Sequence, residues 1–283
     1  MSKRAFSAIL LLLILISVFL PACGQEENAA DRDRADRGVL TVEKQKELMN
    51  KVKVMPEWER NEWENLDETG YFTGEEFVPD AETAIELGTV LLRRFQKSGF
   101  FSGYALQRVE YQDEPAIWVI SCWRDADAEE SGAKVCFAMR RDNAQVVCIW
   151  LGEEGTEAKP GEGAAERYRL TDENKAALLQ NVRKLPESER NCWERIDDSR
   201  RFTEPCVPDA ETAMFYGYAL LQRFQREGYF PREVPQLIMY QEDPLIWIVS
   251  CWEDVGPDVL CADECFVISA SDAQVIAFYP EGG

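Results

Sequence analysis

The chain is 283 residues long and sets 52 aspartates and glutamates against 31 lysines and arginines, with no histidine. That length admits two ordinary domains, and the acidic excess disfavours nucleic acid and anionic lipid heads as partners because like charges repel. The missing imidazole excludes histidine metal ligands and Ser/His or Cys/His catalysis.

At the start, Lys3 and Arg4 precede a sixteen-residue, uncharged and mostly apolar run from Ala5 to Leu20, which stops at Pro21, Ala22 and Cys23. Such a run is short for a bilayer span and suits the core of a signal peptide. Its end, LPAC, resembles the lipobox of bacterial lipoproteins, with an aliphatic residue three before the cysteine and a small one directly before it. The resemblance implies a signal peptide over residues 1–22, lipid attachment at Cys23, and a protein anchored to the cell membrane and facing outside the cytoplasm. An ordinary secretory signal with a stray cysteine, or an N-terminal membrane anchor, is the alternative. Residues 23–40 are polar, charge-mixed and without apolar periodicity, which reads as a flexible tether. Without Lys3 and Arg4, 29 basic side chains face 52 acidic ones, a formal charge of −23.

Beyond the tether the chain says most things twice. VPDAETAIELGTVLLRRFQKSGFF (Val78–Phe101) and VPDAETAMFYGYALLQRFQREGYF (Val207–Phe230) are identical at fifteen of 24 positions. YQDEPAIWVISCW (Tyr111–Trp123) matches YQEDPLIWIVSCW (Tyr240–Trp252) at the same offset of 129. Upstream, with one residue of slippage, ERNEW at Glu59 answers ERNCW at Glu189, and Thr41 answers Thr171. A repeat of roughly 110 residues is long enough to carry its own core. The Gly, Pro, Ala and Glu-rich stretch 153–169 reads as a linker, which places two domains at 41–152 and 170–283.

Within each unit, Leu48, Val52 and Met55 before Pro56, and Leu178, Val182 and Leu185 before Pro186, keep helical spacing. The heptapeptide VPDAETA then predicts a helix start. Asp80 and Asp209 are the caps that accept first-turn amide hydrogens, and Glu82 adds charge where the helix dipole favours it. An acidic pair at a pocket mouth is the functional alternative for the same residues. Behind the cap, Ala84, Gly88, Leu91 and Phe95 form one stripe, repeated as Ala213, Gly217, Leu220 and Phe224. A glycine costs a helix interior about 1 kcal/mol, so its presence in both copies predicts close packing against a sheet. Short β-prone runs follow at Ala105–Gln112, Ala116–Trp123, Lys134–Arg140 and Ala144–Leu151, with hairpin spacing. The predicted class is α+β: two tandem cone-like domains, each with N-terminal helices packed on a curved antiparallel sheet.

Setting Cys23 aside leaves eight cysteines, an even number in a chain routed outside the cytoplasm. Cys122 and Cys136 lie at similar distances from a hairpin centre, as do Cys251 and Cys265, so each pair is a candidate disulfide or a pair of buried free thiols. A Cys192–Cys206 bridge with Cys148–Cys261 is one pairing of the rest. No zinc-ligand cluster stands out; the CxxxC of Cys261 and Cys265 lacks a second half, so no metal or cofactor is expected.

The order of these motifs resembles the bacterial immunity proteins of the nuclear transport factor 2-like fold. The resemblance rests on Val78–Ala84 and Val207–Ala213, on Trp118–Cys122 and Trp247–Cys251, and on Arg140–Val146 with Ser269–Val275. It covers nearly all of each unit. Cys122 or Cys251 stands where the family's strand motif has glycine, and Ala144 or Ala273 where its turn has glycine. The resemblance implies a cone-like α+β fold and, for many members, neutralisation of a toxin delivered by a competing bacterium.

Two classes of function follow. One is a non-catalytic, membrane-anchored binding protein of immunity type, whose partner is a protein such as a basic toxin domain attracted by the acidic surface. The alternative is a small-ligand receptor or enzyme using the pocket of a cone-like fold. Its candidate pocket or partner-surface residues are Tyr111, Trp118 and Asp125 with Tyr240, Trp247 and Asp254, although aromatic residues on strands more often belong to a core.

Overall fold

A computed structural model describes residues 38–60, 76–124, 134–152, 167–253 and 264–280. The lipobox with Cys23, and also Asp125, Asp254 and Cys261, lie outside the described residues.

The chain is α+β. In the first half, helix α1 (Val42–Asn50) leads into a two-residue strand β1 (Lys53–Val54). Helix α2 (Ala81–Lys97) and strands β2 (Tyr104–Gln112), β3 (Ile117–Arg124), β4 (Val135–Arg140) and β5 (Val146–Leu151) follow. The second half repeats the order: α3 (Asp172–Gln180), β6 (Arg183–Lys184), α4 (Ala210–Arg226), β7 (Glu233–Glu242), β8 (Leu245–Glu253), β9 (Glu264–Ser269) and β10 (Val275–Pro280). The helical spacing of Leu48, Val52 and Met55 misleads at its C-terminal end. The helix stops at Asn50, and the chain turns extended before Pro56, because the residue before a proline is pushed out of the α region. Leu185 before Pro186 behaves alike.

Each helix start is built as the heptapeptide suggests. Asp80 is extended and its carboxylate accepts from Thr83 N at 2.7 Å and from Thr83 Oγ1 at 2.8 Å; Asp209 does the same for Thr212, at 2.9 Å each. The carbonyl directly before the proline-aspartate step has its own holder. Trp118 Nε1 donates to Val78 O at 2.8 Å, and Trp247 Nε1 to Val207 O at 2.8 Å. The indole thus pins the helix entry onto strand β3 or β8 while its ring fills the core. At the other end, the buried amide of Gln96 donates to Phe101 O and Tyr104 O, and Gln225 to Phe230 O and Glu233 O, fixing the exit into the first long strand.

Gly88 and Gly217 let these helices sit close to the sheets. A Cβ on Gly88 would stand 2.8 Å from Ile120 Cδ1, and one on Gly217 would stand 2.7 Å from Val249 Cγ1 and 2.9 Å from Val249 Cβ. Among the residues with left-handed backbone are Ala144 (φ 59°) and Ala273 (φ 60°), in the last hairpin turn of each half. An alanine there accepts a conformation that glycine adopts more cheaply.

Each sheet has five strands, in the orders β5-β4-β3-β2-β6 and β10-β9-β8-β7-β1. The long strands pair antiparallel as hairpins. The fifth strand of each sheet, however, comes from the opposite half and runs parallel. Lys53 and Val54 face Met239 and Tyr240, while Arg183 and Lys184 face Glu110 and Tyr111. Both crossings end on the same bond, Met55 N to Tyr240 O and Leu185 N to Tyr111 O, each 2.8 Å. The N-terminal helices follow their strands, so α1 packs on β7 and α3 on β2 and α2. Beyond β6 the crossed segment continues over the outer face of the first sheet. Leu185 and Trp193 join Ile117, Val119, Ala138 and Trp150 in a second cluster, and Asn191 exchanges hydrogen bonds with the side chain of Gln112 at 2.6 and 3.0 Å.

The main core is continuous through both halves, from Leu40 to Phe278. Along its middle the halves meet twice with approximate two-fold symmetry. The last turns bond to each other, Val146 N to Asp272 O at 2.7 Å and Val275 N to Asn143 O at 2.9 Å. Helices α2 and α4 pack against each other, with each C-terminal cation on the other's N-terminal acids. Lys97 meets Asp209 at 2.9 Å and Glu211 at 2.7 Å; Arg226, its counterpart, meets Glu86 at 2.8 Å, Glu82 at 3.7 Å and Asp80 at 3.9 Å.

Two outcomes test this architecture. Gly217→Ala should lose about 1–2 kcal/mol in denaturant unfolding, the overpacking strain exceeding the gain in helix propensity. Gly88→Ala should lose less, because the end of Ile120 rotates away more easily than the branched Cβ of Val249. A fragment of residues 167–283 keeps its leader but lacks the strand that completes its own β7 edge. It should sediment as a dimer that exchanges leaders; a monomer with full cooperative unfolding would argue against the crossing.

Candidate functional site

The tyrosine and tryptophan candidates lie together, as cross-strand neighbours rather than as the walls of a cavity. Tyr111 faces Trp118 and Tyr240 faces Trp247 across adjacent strands, with ring centroids 5.8 and 5.5 Å apart. Both indoles are 5% exposed and spend their N–H on the helix-entry carbonyl. Neither of the two cavities described below is lined by any of the four. Their recurrence in both halves is accounted for by architecture: the tyrosine carbonyls receive the crossed strands and the tryptophans hold the helices.

The expected cystines across the hairpins do not form. The register pairs Cys122 with Val135 and Ser121 with Cys136, and likewise Cys251 with Glu264 and Ser250 with Cys265. A slip of one residue turns a side chain to the other face. Cys122 therefore enters the main core while Cys136 enters the outer cluster, and both are free. Cys136 Sγ lies 3.4 Å from Ser121 Oγ instead, and Cys265 donates to Ser250 Oγ at 3.2 Å. Cys148, Cys192 and Cys206 are free as well, which removes the proposed Cys192–Cys206 bridge. Burial pushes the Cys122 thiol well up and takes Cys136 and Cys206 to about 12, so none of these three offers a thiolate at neutral pH. Among the described residues no three Cys, Asp or Glu side chains are grouped to hold a metal ion, and no helix is long and apolar enough to cross a membrane.

The concave feature of the surface lies elsewhere, where α3 and the residues before it meet the start of β2. An open cleft of roughly 1110 Å³ is bounded by Tyr104 and Gln107 on β2, Asn174 and Asn181 on and just after α3, and Arg167 and Arg169 on the approach, with Arg93 of α2 at its base. The leader is tied down here by Tyr168 N, which donates to Gln96 Oε1 at 2.5 Å. Arg93 and Arg167 are shared with a small neighbouring cavity of about 20 Å³ at the helix seam, also lined by Arg94, Lys97, Glu211 and Phe215.

Electrostatically this end of the seam is unlike the rest of an acidic protein. Glu211 is held by both Lys97 and Arg167, the latter at 2.9 Å. Burial acts to raise the carboxyl pKa values of Asp209 and Glu211, but their bonds to these cations and, at Asp209, to Thr212 outweigh it and hold both below the usual range. Arg93 lies with its guanidinium carbon 4.9 Å from the centre of the Phe215 ring. Its pKa is lowered, first by burial and then by the nearby charge of Arg167. Arg94 is 4% exposed, bonds Glu204 at 3.3 Å through Nη2, and leaves Nε and Nη1 buried without a hydrogen-bond partner.

No family model, curated protein or solved structure matches this chain.

The thiol assignment has a direct check. Mass spectrometry without reduction should find Cys122, Cys136, Cys251 and Cys265 alkylated as free thiols after denaturation. In the native protein these four should react slowly, behind the half-buried Cys192.

Proposed function

We propose that this chain is a lipid-anchored, extracytoplasmic binding protein of immunity type, which neutralises a toxin by occupying it rather than by chemistry. The observation that carries the reading is the duplicated motif set. VPDAETA, the IWVISC and IWIVSC strands and the RRDNAQV and SASDAQV turns resemble, in order and spacing, those of immunity proteins of the nuclear transport factor 2-like fold. The LPAC sequence at Cys23 supports the anchor.

Charge supplies the physical route to a partner. A formal charge of −23 raises the local concentration of a basic domain and speeds its association, while repelling nucleic acid and anionic lipid. The absence of histidine and the raised pKa values of Cys122, Cys136 and Cys206 fit a role in which binding is the whole activity. Because the crossed leaders join the halves into one body, the partner meets a single composite surface instead of two tethered modules.

The test is deletion of the gene in the producing bacterium, followed by challenge with toxin-delivering competitors. Sensitivity should appear and be restored by the full chain. The purified pair should form a stoichiometric complex that weakens at least about tenfold between about 50 and 500 mM salt. Cys23→Ser should lose radiolabelled palmitate and leave the membrane fraction. Unchanged resistance after deletion, with no complex formed by any of the competitors' toxin domains, would overturn the reading.

A further inference from the structure

The two halves depart from symmetry in charge at several positions, among them the two ends of the helix seam. At one end of the helix seam, Glu86 bridges two cations, Lys175 at 2.6 Å and Arg226 at 2.8 Å. At the other end, the residue in the place of Glu86 is Phe215, and the residue in the place of Gln222 is Arg93. Both replacements move the local charge in the positive direction. Along the approach, Arg169 stands where the first half has Val39. On the leader helix, Asn174, Ala177 and Asn181 stand where the first half has Lys44, Glu47 and Lys51. That first-half trio carries one net positive charge, Glu47 pairing with both Lys44 and Lys51. The second-half trio instead presents two neutral amides and a methyl group to the cleft, one positive charge fewer.

Among the described residues the arginines lining this cleft are only partly matched by acids, Arg167 being paired with Glu211. Among the described residues neither Arg93 nor Arg169 has a carboxylate within salt-bridge distance, and Glu211 is already held by Lys97 and Arg167. Next to them the buried Arg94 lines the adjoining cavity, in an environment that its counterpart Arg223 shares in the other half. An acidic chain has nonetheless gathered three arginines along this cleft, with Arg94 in the adjoining cavity. Planar guanidinium groups recognise two-oxygen anions by paired hydrogen bonds. Tyr104, Gln107, Asn174 and Asn181 complete the lining with uncharged polar side chains. The overall negative field works against a long polyanion, whereas a small anion inside the cleft is screened from distant carboxylates beyond roughly 8–10 Å.

We propose that the cleft between α3 and β2 is a binding site for a small multivalent oxyanion, whose carboxylate or phosphate groups are held by Arg93, Arg167 and Arg169. The site belongs to the second-half leader and the first-half sheet together, so it exists only because the leaders cross. It is independent of toxin binding.

The experiment is isothermal titration of the full chain with citrate, succinate, pyrophosphate and inorganic phosphate, at fixed ionic strength. Two variants take the residue that the other half already uses, Arg93→Gln and Arg169→Val, which keeps folding intact; Lys51→Ala, on the opposite leader, is the control. At least one multivalent anion should bind in the micromolar to low millimolar range, at least tenfold more weakly to Arg93→Gln and to Arg169→Val and unchanged in Lys51→Ala. Binding of citrate without pyrophosphate assigns a carboxylate ligand, and the reverse a phosphate. No heat from any of the four anions, or equal affinity in the parent and both arginine variants with their melting temperatures preserved, would overturn the site.

Discussion

A parallel strand cannot be reached by a tight turn, so any segment that completes a sheet edge in parallel must travel to it. Here the travelling segments are the leaders, and each goes to the opposite half. The bonds from Met55 to Tyr240 and from Leu185 to Tyr111 fix where the leaders end. Once they do, α1 and α3 are carried onto the far sheets, and the stretch from Leu185 to Trp193 is drawn over the outer face of the first. The seam between α2 and α4 then needs only modest additions. Reciprocal ion pairs of half-exposed side chains contribute little each, and the close approach permitted by Gly88 and Gly217 places the helices where burial contributes most.

Much of one half was legible in the sequence. The strand runs, the aspartate caps and the glycine stripe all follow from local rules, and period and capping are local properties. The crossing was not legible, for a physical reason. The receiving edges, Glu110-Tyr111 and Met239-Tyr240, share only the tyrosine, and the contact that tells them apart, Arg183 on Glu110 at 2.7 Å, joins residues 73 positions apart that no local pattern connects. The cysteines failed by a single residue. Counting from the middle of a hairpin cannot distinguish Ser121 from Cys122 opposite Cys136, and that one position decides between a disulfide and two thiols on opposite faces.

The cleft is not signalled by anything the two copies share. Tyr111, Trp118, Tyr240 and Trp247 recur because both halves need the same joints. The cleft arginines lie where the copies differ: Arg93 against Gln222, Arg169 against Val39, Phe215 against Glu86. An alignment of the halves contained that signal. What it lacked was proximity, since Arg93 and Arg169 are 76 positions apart and meet only when the second leader lies along the first sheet.

The crossed leaders carry an implication for how such a molecule diverges. In a homodimer with exchanged arms, every substitution appears at both ends of the symmetry axis, so a charge introduced to create one site creates two and strains the joint twice. Joining the copies in one polypeptide removes that coupling. One end of the α2–α4 seam could keep Glu86 and its two cations as a structural clasp, while the other exchanged its carboxylate for Phe215. Duplication in this chain therefore did more than double a domain: it released half of a symmetric interface from the obligation to hold the molecule together.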